Sequence, residues 1–300
     1  MKKYSVRPAT FRDLEAVYAL ITAQNLNDFG DAIITTDSLQ KRWQALRFET
    51  QTCMAYTDGE LEGYAELRDG DSPFIYLADK NNIDLGFQLL MVLEDFAKNS
   101  KVAELFTQVS ARNQILQELF LLNGYHSNLS FIIMELVMNE LPDAPAWPDG
   151  IQVRTFIPDQ DEQATFRTDE EAAEDKGYHQ PLDFQGWAKR MGLNTQRFDP
   201  NLWFLARDGN EIAGVALNYH DQRSDTGWID HLGVRRAWRN KGIGKTLLLH
   251  SFGEFYRRGV RRIKLSVDSK SLTNAPRLYE SVGMRTIHEY HIYKKELPIA

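Results

Sequence analysis

The stretch Trp228-Ile229-Asp230-His231-Leu232-Gly233-Val234-Arg235-Arg236-Ala237-Trp238-Arg239-Asn240-Lys241-Gly242-Ile243-Gly244-Lys245-Thr246 decides how this chain reads. An apolar run ends at Val234, and a turn rich in Gly, Lys and Arg follows. Leu247, Leu248, Leu249, Phe252 and Phe255 then recur at helical spacing. A strand therefore passes through a glycine turn into a helix. The first N–H groups of a helix have no internal partner and carry partial positive charge. Glycine lets the backbone come close to a ligand. Such a turn is suited to a pyrophosphate, and Arg239, Lys241 and Lys245 add formal charge to it.

Three phosphate patterns compete for the turn. A P-loop needs a glycine five residues before Gly244-Lys245-Thr246, and that position is Arg239. A dinucleotide fingerprint needs a third glycine where Leu247 stands. The pattern Arg/Gln-x-x-Gly-x-Gly/Ala after a strand fits Arg239 to Gly244 in full. Downstream, Ile263-Lys264-Leu265-Ser266-Val267 reads as a strand, followed by Asn274-Ala275-Pro276-Arg277-Leu278-Tyr279-Glu280-Ser281-Val282-Gly283-Met284.

The two segments together resemble the acyl-CoA-binding motifs of the GNAT (GCN5-related N-acetyltransferase) superfamily. The second has a shortened front, and Met284 stands where the family has Phe. The resemblance implies that the strand through Leu232, Gly233 and Val234 splays from its neighbour and offers backbone groups to the pantetheine arm. It implies that the backbone of Arg239, Asn240, Lys241, Gly242, Ile243, Gly244 and Lys245 holds the pyrophosphate, and that Asn274 touches the cosubstrate. Tyr279 would protonate the leaving thiolate. A thiol's pKa of about 8.5 asks little of such an acid, and a phenol in reach suffices. The alternative is a helix aromatic packed on the sheet.

Working outward, Leu141-Pro142-Asp143-Ala144-Pro145-Ala146-Trp147-Pro148-Asp149-Gly150 holds three prolines and a glycine. No helix or central strand continues through it. It is read as a linker between domains at 1–140 and 151–300. The two flanks follow one plan. Each opens on a Val-Arg pair (Val6-Arg7, Val153-Arg154), and each has an Asp-Gly hairpin signal (Asp58-Gly59, Asp208-Gly209). A long amphipathic helix follows, at about 84–98 and 242–258, and a late glycine at Gly124 or Gly283 precedes a closing apolar run. This is an internal duplication of a mixed α/β domain, hence two tandem GNAT-like domains. The layout resembles that of the mycothiol synthases in architecture, not in substrate. The first domain is degenerate: Asp79 and Asp84 flank the place of the glycine turn, and Phe120 stands where the second half has Tyr279.

An amine attacks only when neutral, so a base is expected near the cosubstrate. Asp230 and His231 lie on the strand leading to the turn, and His231 has the intrinsic pKa of a base. The alternative for His231 is a packed strand histidine. Alternation puts the two side chains on opposite faces unless a bulge intervenes. The run Asp169-Glu170-Glu171-Ala172-Ala173-Glu174-Asp175-Lys176-Gly177-Tyr178 falls in the region that borders the acceptor in this fold. Its acids would attract a cationic amine, with Glu170, Glu174 and Tyr178 as the contacts. A solvated helix face is the other reading.

The bulk numbers narrow the field. The 300 residues suffice for two cores. The formal charge of −7 is uneven, with 12 Lys and Arg against 20 Asp and Glu in residues 1–140. An acidic total argues against nucleic acid as the partner. One cysteine, Cys53, excludes an internal disulfide and leaves no thiolate for an acyl-enzyme in the second half. No apolar window reaches the roughly 18 residues of a membrane span, and a cytoplasmic protein is expected. His288 and His291 sit in a closing strand, and no metal is expected. The leading reading is transfer of an acyl group, acetyl in the first instance, from acyl-CoA to a small-molecule amine in a ternary complex. A CoA-binding sensor without turnover is a second reading. A longer acyl chain or a hydroxyl acceptor is a third.

Overall fold

The structure is a computed structural model and describes residues 3–177, 179–271 and 275–298, the side chain of Asn128 aside. Asn274 and Tyr178 lie outside the described residues. The chain forms two compact units, Met1–Phe131 with His288–Ala300, and Ile132–Ile287. The proline-bearing segment 141–150 lies inside the second unit. The division follows strand pairing, which is non-local, and no composition signal marks it.

The first unit runs β1 (Ser5–Arg7), α1 (Leu14–Phe29), α2 (Thr36–Ala45), α3 (Phe48–Gln51), β2 (Thr52–Thr57), β3 (Glu60–Arg68), β4 (Ser72–Leu77), α4 (Ile83–Asn99), β5 (Glu104–Ser110) and α5 (Gln114–Leu122), then enters β6 (His126–Val137). Strands β1 to β4 form an antiparallel sheet in that order. Leu85, Leu89, Leu90 and Leu93 of α4 are fully buried with Ala65, Leu67 and Leu77 of the sheet. Each such leucine contributes roughly 1.5–3 kcal/mol by leaving water. Residues 290–296 of the last strand pair antiparallel with β5.

The second unit runs β7 (Ile151–Thr155), α6 (Glu162–Ala173), α7 (Phe184–Met191), β8 (Trp203–Asp208), β9 (Glu211–Asp221), β10 (Thr226–Val234), α8 (Ile243–Arg257), β11 (Arg262–Asp268) and α9 (Ala275–Glu280), and enters β12 (Arg285–Glu296). Its sheet order includes β6-β11-β10-β9-β8-β7. The fold is mixed α/β, and the repeated element order is the duplication read from the sequence. The repeat extends to ion pairs: Arg7 Nη2 meets Asp13 Oδ1 at 2.6 Å, and Arg154 Nη2 meets Asp161 Oδ1 at 2.7 Å. In both halves the arginine of the opening strand ties the strand to the start of its helical region. The first hairpin turns on Asp58-Gly59 as expected, whereas β8 extends through Asp208 and the second turns on Gly209-Asn210.

Candidate active site

Two strands part to make the site. β10 and β11 are parallel, and their register runs only from Thr226↔Arg262 to Trp228↔Lys264. Beyond that pair, β10 continues to Val234 and β11 to Asp268 without bonding to each other. The gap opens into a groove lined by Ile229 to Val234, by Leu265 to Asp268, by the turn before α8, and by Leu278 and Tyr279 of α9.

Asn240 (φ 61°) and Gly242 (φ 84°) are both left-handed, and Gly242 is the N-cap of α8 without a side-chain cap. A Cβ at Gly242 would be strained in that conformation. The backbone N–H groups of residues 240 to 245 have no hydrogen-bond partner among the described residues. The N–H of Arg239 differs, because it donates to Arg236 O at 3.3 Å. The Arg239 guanidinium also faces inward: Nε donates to Val234 O at 3.0 Å, and Nη1 pairs with Asp175. Arg239 braces the turn from behind, and the run of N–H groups without a partner among the described residues begins at Asn240.

Helix α6 closes over β10. A Cβ on Gly233 would stand 2.8 Å from Ala172 Cβ, so glycine is what permits this approach. The approach brings Asp169 to His231. His231 Nδ1 lies 2.8 Å from Asp169 Oδ2, and Trp187 Nε1 of α7 donates to the same oxygen at 2.9 Å. Asp169 is 4% exposed. Burial alone would raise its carboxyl pKa, but the His231 ring and the two hydrogen bonds outweigh burial and hold it below the usual carboxylate range. A carboxylate at Nδ1 makes that nitrogen the N–H donor and leaves Nε2 as a proton acceptor.

Strand β10 bulges between Ile229 and His231, with Asp230 as the extra residue. Asp230 pairs with Arg197, whose guanidinium also covers the Tyr219 ring at 3.6 Å. His231 borders a second pocket, between α6 and α7, as well as the groove.

The comparisons with known proteins point to one family. The acetyltransferase (GNAT) family profile matches residues 161–284. The crystal structure of a GCN5-related N-acetyltransferase from Sphaerobacter thermophilus is 32% identical, with a TM-score of 0.83 over 98% of this chain and 95% of that one. The chain belongs to the GNAT family. It is an N-acetyltransferase by that membership. The mycothiol acetyltransferase of Streptomyces coelicolor is 26% identical over 97% of this chain and 98% of its own. A tandem GNAT protein from the clavulanic acid biosynthesis pathway, at 13% identity, shares the fold with a TM-score of 0.71.

Within this GNAT domain the sequence-named residues separate. Leu232, Gly233, Val234, Asn240, Gly242, Ile243, Gly244, Lys245 and Tyr279 converge on the groove with Asp230 and His231. Lys241 is exposed in the turn and lies outside the groove lining. Tyr279 is 8% exposed. Glu170 borders the α6–α7 pocket, whereas Glu174 caps the end of α6 and borders neither cavity. The acidic run is mostly engaged in ion pairs: Glu171 with Arg235 at 2.7 Å, and Asp175 with Arg236 and Arg239. Asp169 escaped the sequence reading. The signal was present, since Thr165, Thr168, Asp169 and Ala173 share one helical stripe and are the buried residues of α6.

The first unit shows how the same frame is closed. Strands β4 and β5 meet where Phe106 N donates to Asp71 O (3.1 Å) and Thr107 Oγ1 to Pro73 O (2.6 Å). Past that point the Gln24 side chain of α1 occupies the β4 edge, with Nε2 donating to Ile75 O and Oε1 accepting from Leu77 N, both at 3.1 Å. Helix α4 is capped by Asn82, whose Oδ1 accepts from Leu85 N at 3.2 Å. Asn113 Nδ2 donates to the Asp28 carboxylate at 3.0 Å. Among the described residues no group of three His, Cys, Asp or Glu side chains is placed to hold a metal ion. No described helix is long and apolar enough to cross a membrane.

Proposed function

We propose that the chain moves the acetyl group of acetyl-CoA to the amine of a small molecule, by direct attack with both substrates bound. One observation carries this: His231, oriented by Asp169, borders both the splayed-strand groove and the α6–α7 pocket. A base standing between two cavities is placed to serve an acceptor in one and a thioester in the other.

The open N–H groups of residues 240 to 245 fit a pyrophosphate. The free edges of β10 and β11 fit the amides of a pantetheine arm. The acceptor nitrogen gives a proton to His231 Nε2 and bonds to the thioester carbonyl carbon. The C–S bond breaks, and Tyr279 O–H gives its proton to the departing sulfur. An amide and free CoA result, and Tyr279 recovers a proton from solvent as His231 loses one. Proximity and proton handling supply the rate. The name of the Streptomyces coelicolor relative supports acetyl as the group moved. The self-capped first unit supports a single cosubstrate site per chain.

Calorimetric titration with acetyl-CoA tests the reading, on wild type, Gly244→Ala and Gly244→Glu. A Cβ at Gly244 would meet only Leu278 Cδ2 at 3.4 Å and Val234 Cγ2 at 3.7 Å, so the fold accepts the alanine. The expected result is one site per chain, abolished by the glutamate. Two sites would assign cosubstrate binding to the first unit as well, and no binding would end the transferase reading.

A further inference from the structure

The α6–α7 pocket has a charge pattern of its own. Its two carboxylates are engaged within the protein. Asp169 is held by His231 and Trp187. Glu170 accepts from Leu182 N at 3.2 Å and lies 3.2 Å from His179 Nε2. Its three cations, Lys176, Lys189 and Arg190, have no hydrogen-bond or ion-pair partner among the described residues. The pocket thus holds cations as well as the acids of the 169–175 run, and it is the cations that lack partners among the described residues.

Lys189 and Arg190 occupy the last turn of α7, where positive charge offsets the helix dipole. That explains the pair but not Lys176, which reaches the same pocket from beyond the end of α6. Lys176 is exposed, and partial desolvation at the pocket wall lowers its ammonium pKa. Asp169 and Glu170 oppose that shift and Arg190 adds to it. Lys176 and the Lys189–Arg190 pair therefore reach one pocket from separate elements, and none of the three side chains has a hydrogen-bond or ion-pair partner among the described residues. An anion among them would give these cations a partner.

The pocket also has a direction. His231 and Asp169 are nearly buried, with side chains 13% and 5% exposed, while Lys189 and Arg190 face solvent. Resting on the transferase reading above, we infer that the acceptor carries an acid beside its amine: the amine meets His231, and the acidic group, a carboxylate or a phosphate, is held by Lys176, Lys189 and Arg190. The acceptor class is therefore an amine with an acid on the same small molecule, as in amino carboxylates and amino phosphates.

The test is CoA release with matched acceptors. Amino carboxylates are paired with their carboxamides, and amino-sugar phosphates with the free amino sugars, on wild type and on Lys189→Gln/Arg190→Gln. The anionic member is expected to be better by about tenfold in kcat/KM, the scale of a charged hydrogen bond. The double variant is expected to erase that preference through KM, with acetyl-CoA affinity by calorimetry unchanged. Whether the preference shows in the carboxylate or the phosphate pairs identifies the anion. The inference is overturned if the neutral member is equal or better, if the preference survives the double variant, or if no anionic amine supports CoA release. Wild type that fails to bind acetyl-CoA would overturn the transferase reading itself, a separate readout.

Discussion

His231 and Trp187 meet on one oxygen of Asp169, at 2.8 and 2.9 Å, so a single buried carboxylate orients both the His231 ring and the seat of α7. Asp169→Asn keeps the shape but loses the charge, and an amide can present its N–H to Nδ1 and reverse the tautomer. We expect kcat to fall by roughly 10²-fold, within the range general-base catalysis supplies, with acetyl-CoA affinity within twofold of wild type. A loss confined to KM would remove Asp169 from the proton path.

The same carboxyl gives a pH expectation. Its folded pKa is depressed relative to the unfolded chain. The stability it contributes is therefore complete above the unfolded carboxyl value near 4 and is lost as pH falls through the lower folded value. Acid titration of thermal stability should show wild type losing more than Asp169→Asn below about pH 4.

Tyr279→Phe keeps the buried ring and removes only the hydroxyl. A thiolate leaving group needs limited help, so kcat should drop by about 10- to 100-fold rather than vanish. Single-turnover kinetics with unchanged acetyl-CoA affinity would assign the hydroxyl to the leaving group. An unchanged rate would return Tyr279 to a packing role.

Asn82→Ala removes the cap of α4 in the first unit. Caps of this kind are worth about 1 kcal/mol. The melting temperature should fall accordingly while acetyl-CoA titration stays the same, because the proposed cosubstrate site lies in the second unit.

Cys53 is 2% exposed, and burial pushes its thiol up to about 11. It should resist a thiol reagent at pH 8 in the native protein and react once unfolded. Prompt native reaction would show that the β2 region opens readily.

Local pattern made much of this molecule legible. Helix α8 spans Ile243–Arg257 where spacing placed it at about 242–258, and the glycine turn stands where the motif put it. The parting of β10 from β11, implied by the resemblance, appears as a register that stops at Trp228. What escaped is pairing over distance. Nothing near residues 288–300 indicates that they join the first unit, since pairing partners are set by the whole sheet. The acidic run could be read as charge, but not as the separate tasks of Asp169, Glu171 and Asp175. Only the helical stripe through Thr165 and Ala173 hints which acid turns inward.

The Gln24 amide stands on the β4 edge much as a visitor's amide would stand on the β10 edge. The first half thus carries a permanent tenant supplied by its own chain, while the second, on the proposed function, would borrow one. Amide hydrogens at Leu77 should exchange slowly at all times, whereas those at 240 to 245 should slow only while acetyl-CoA is present. Duplication would then have yielded one domain whose order is inherited and another whose order is on loan, renewed with each turnover.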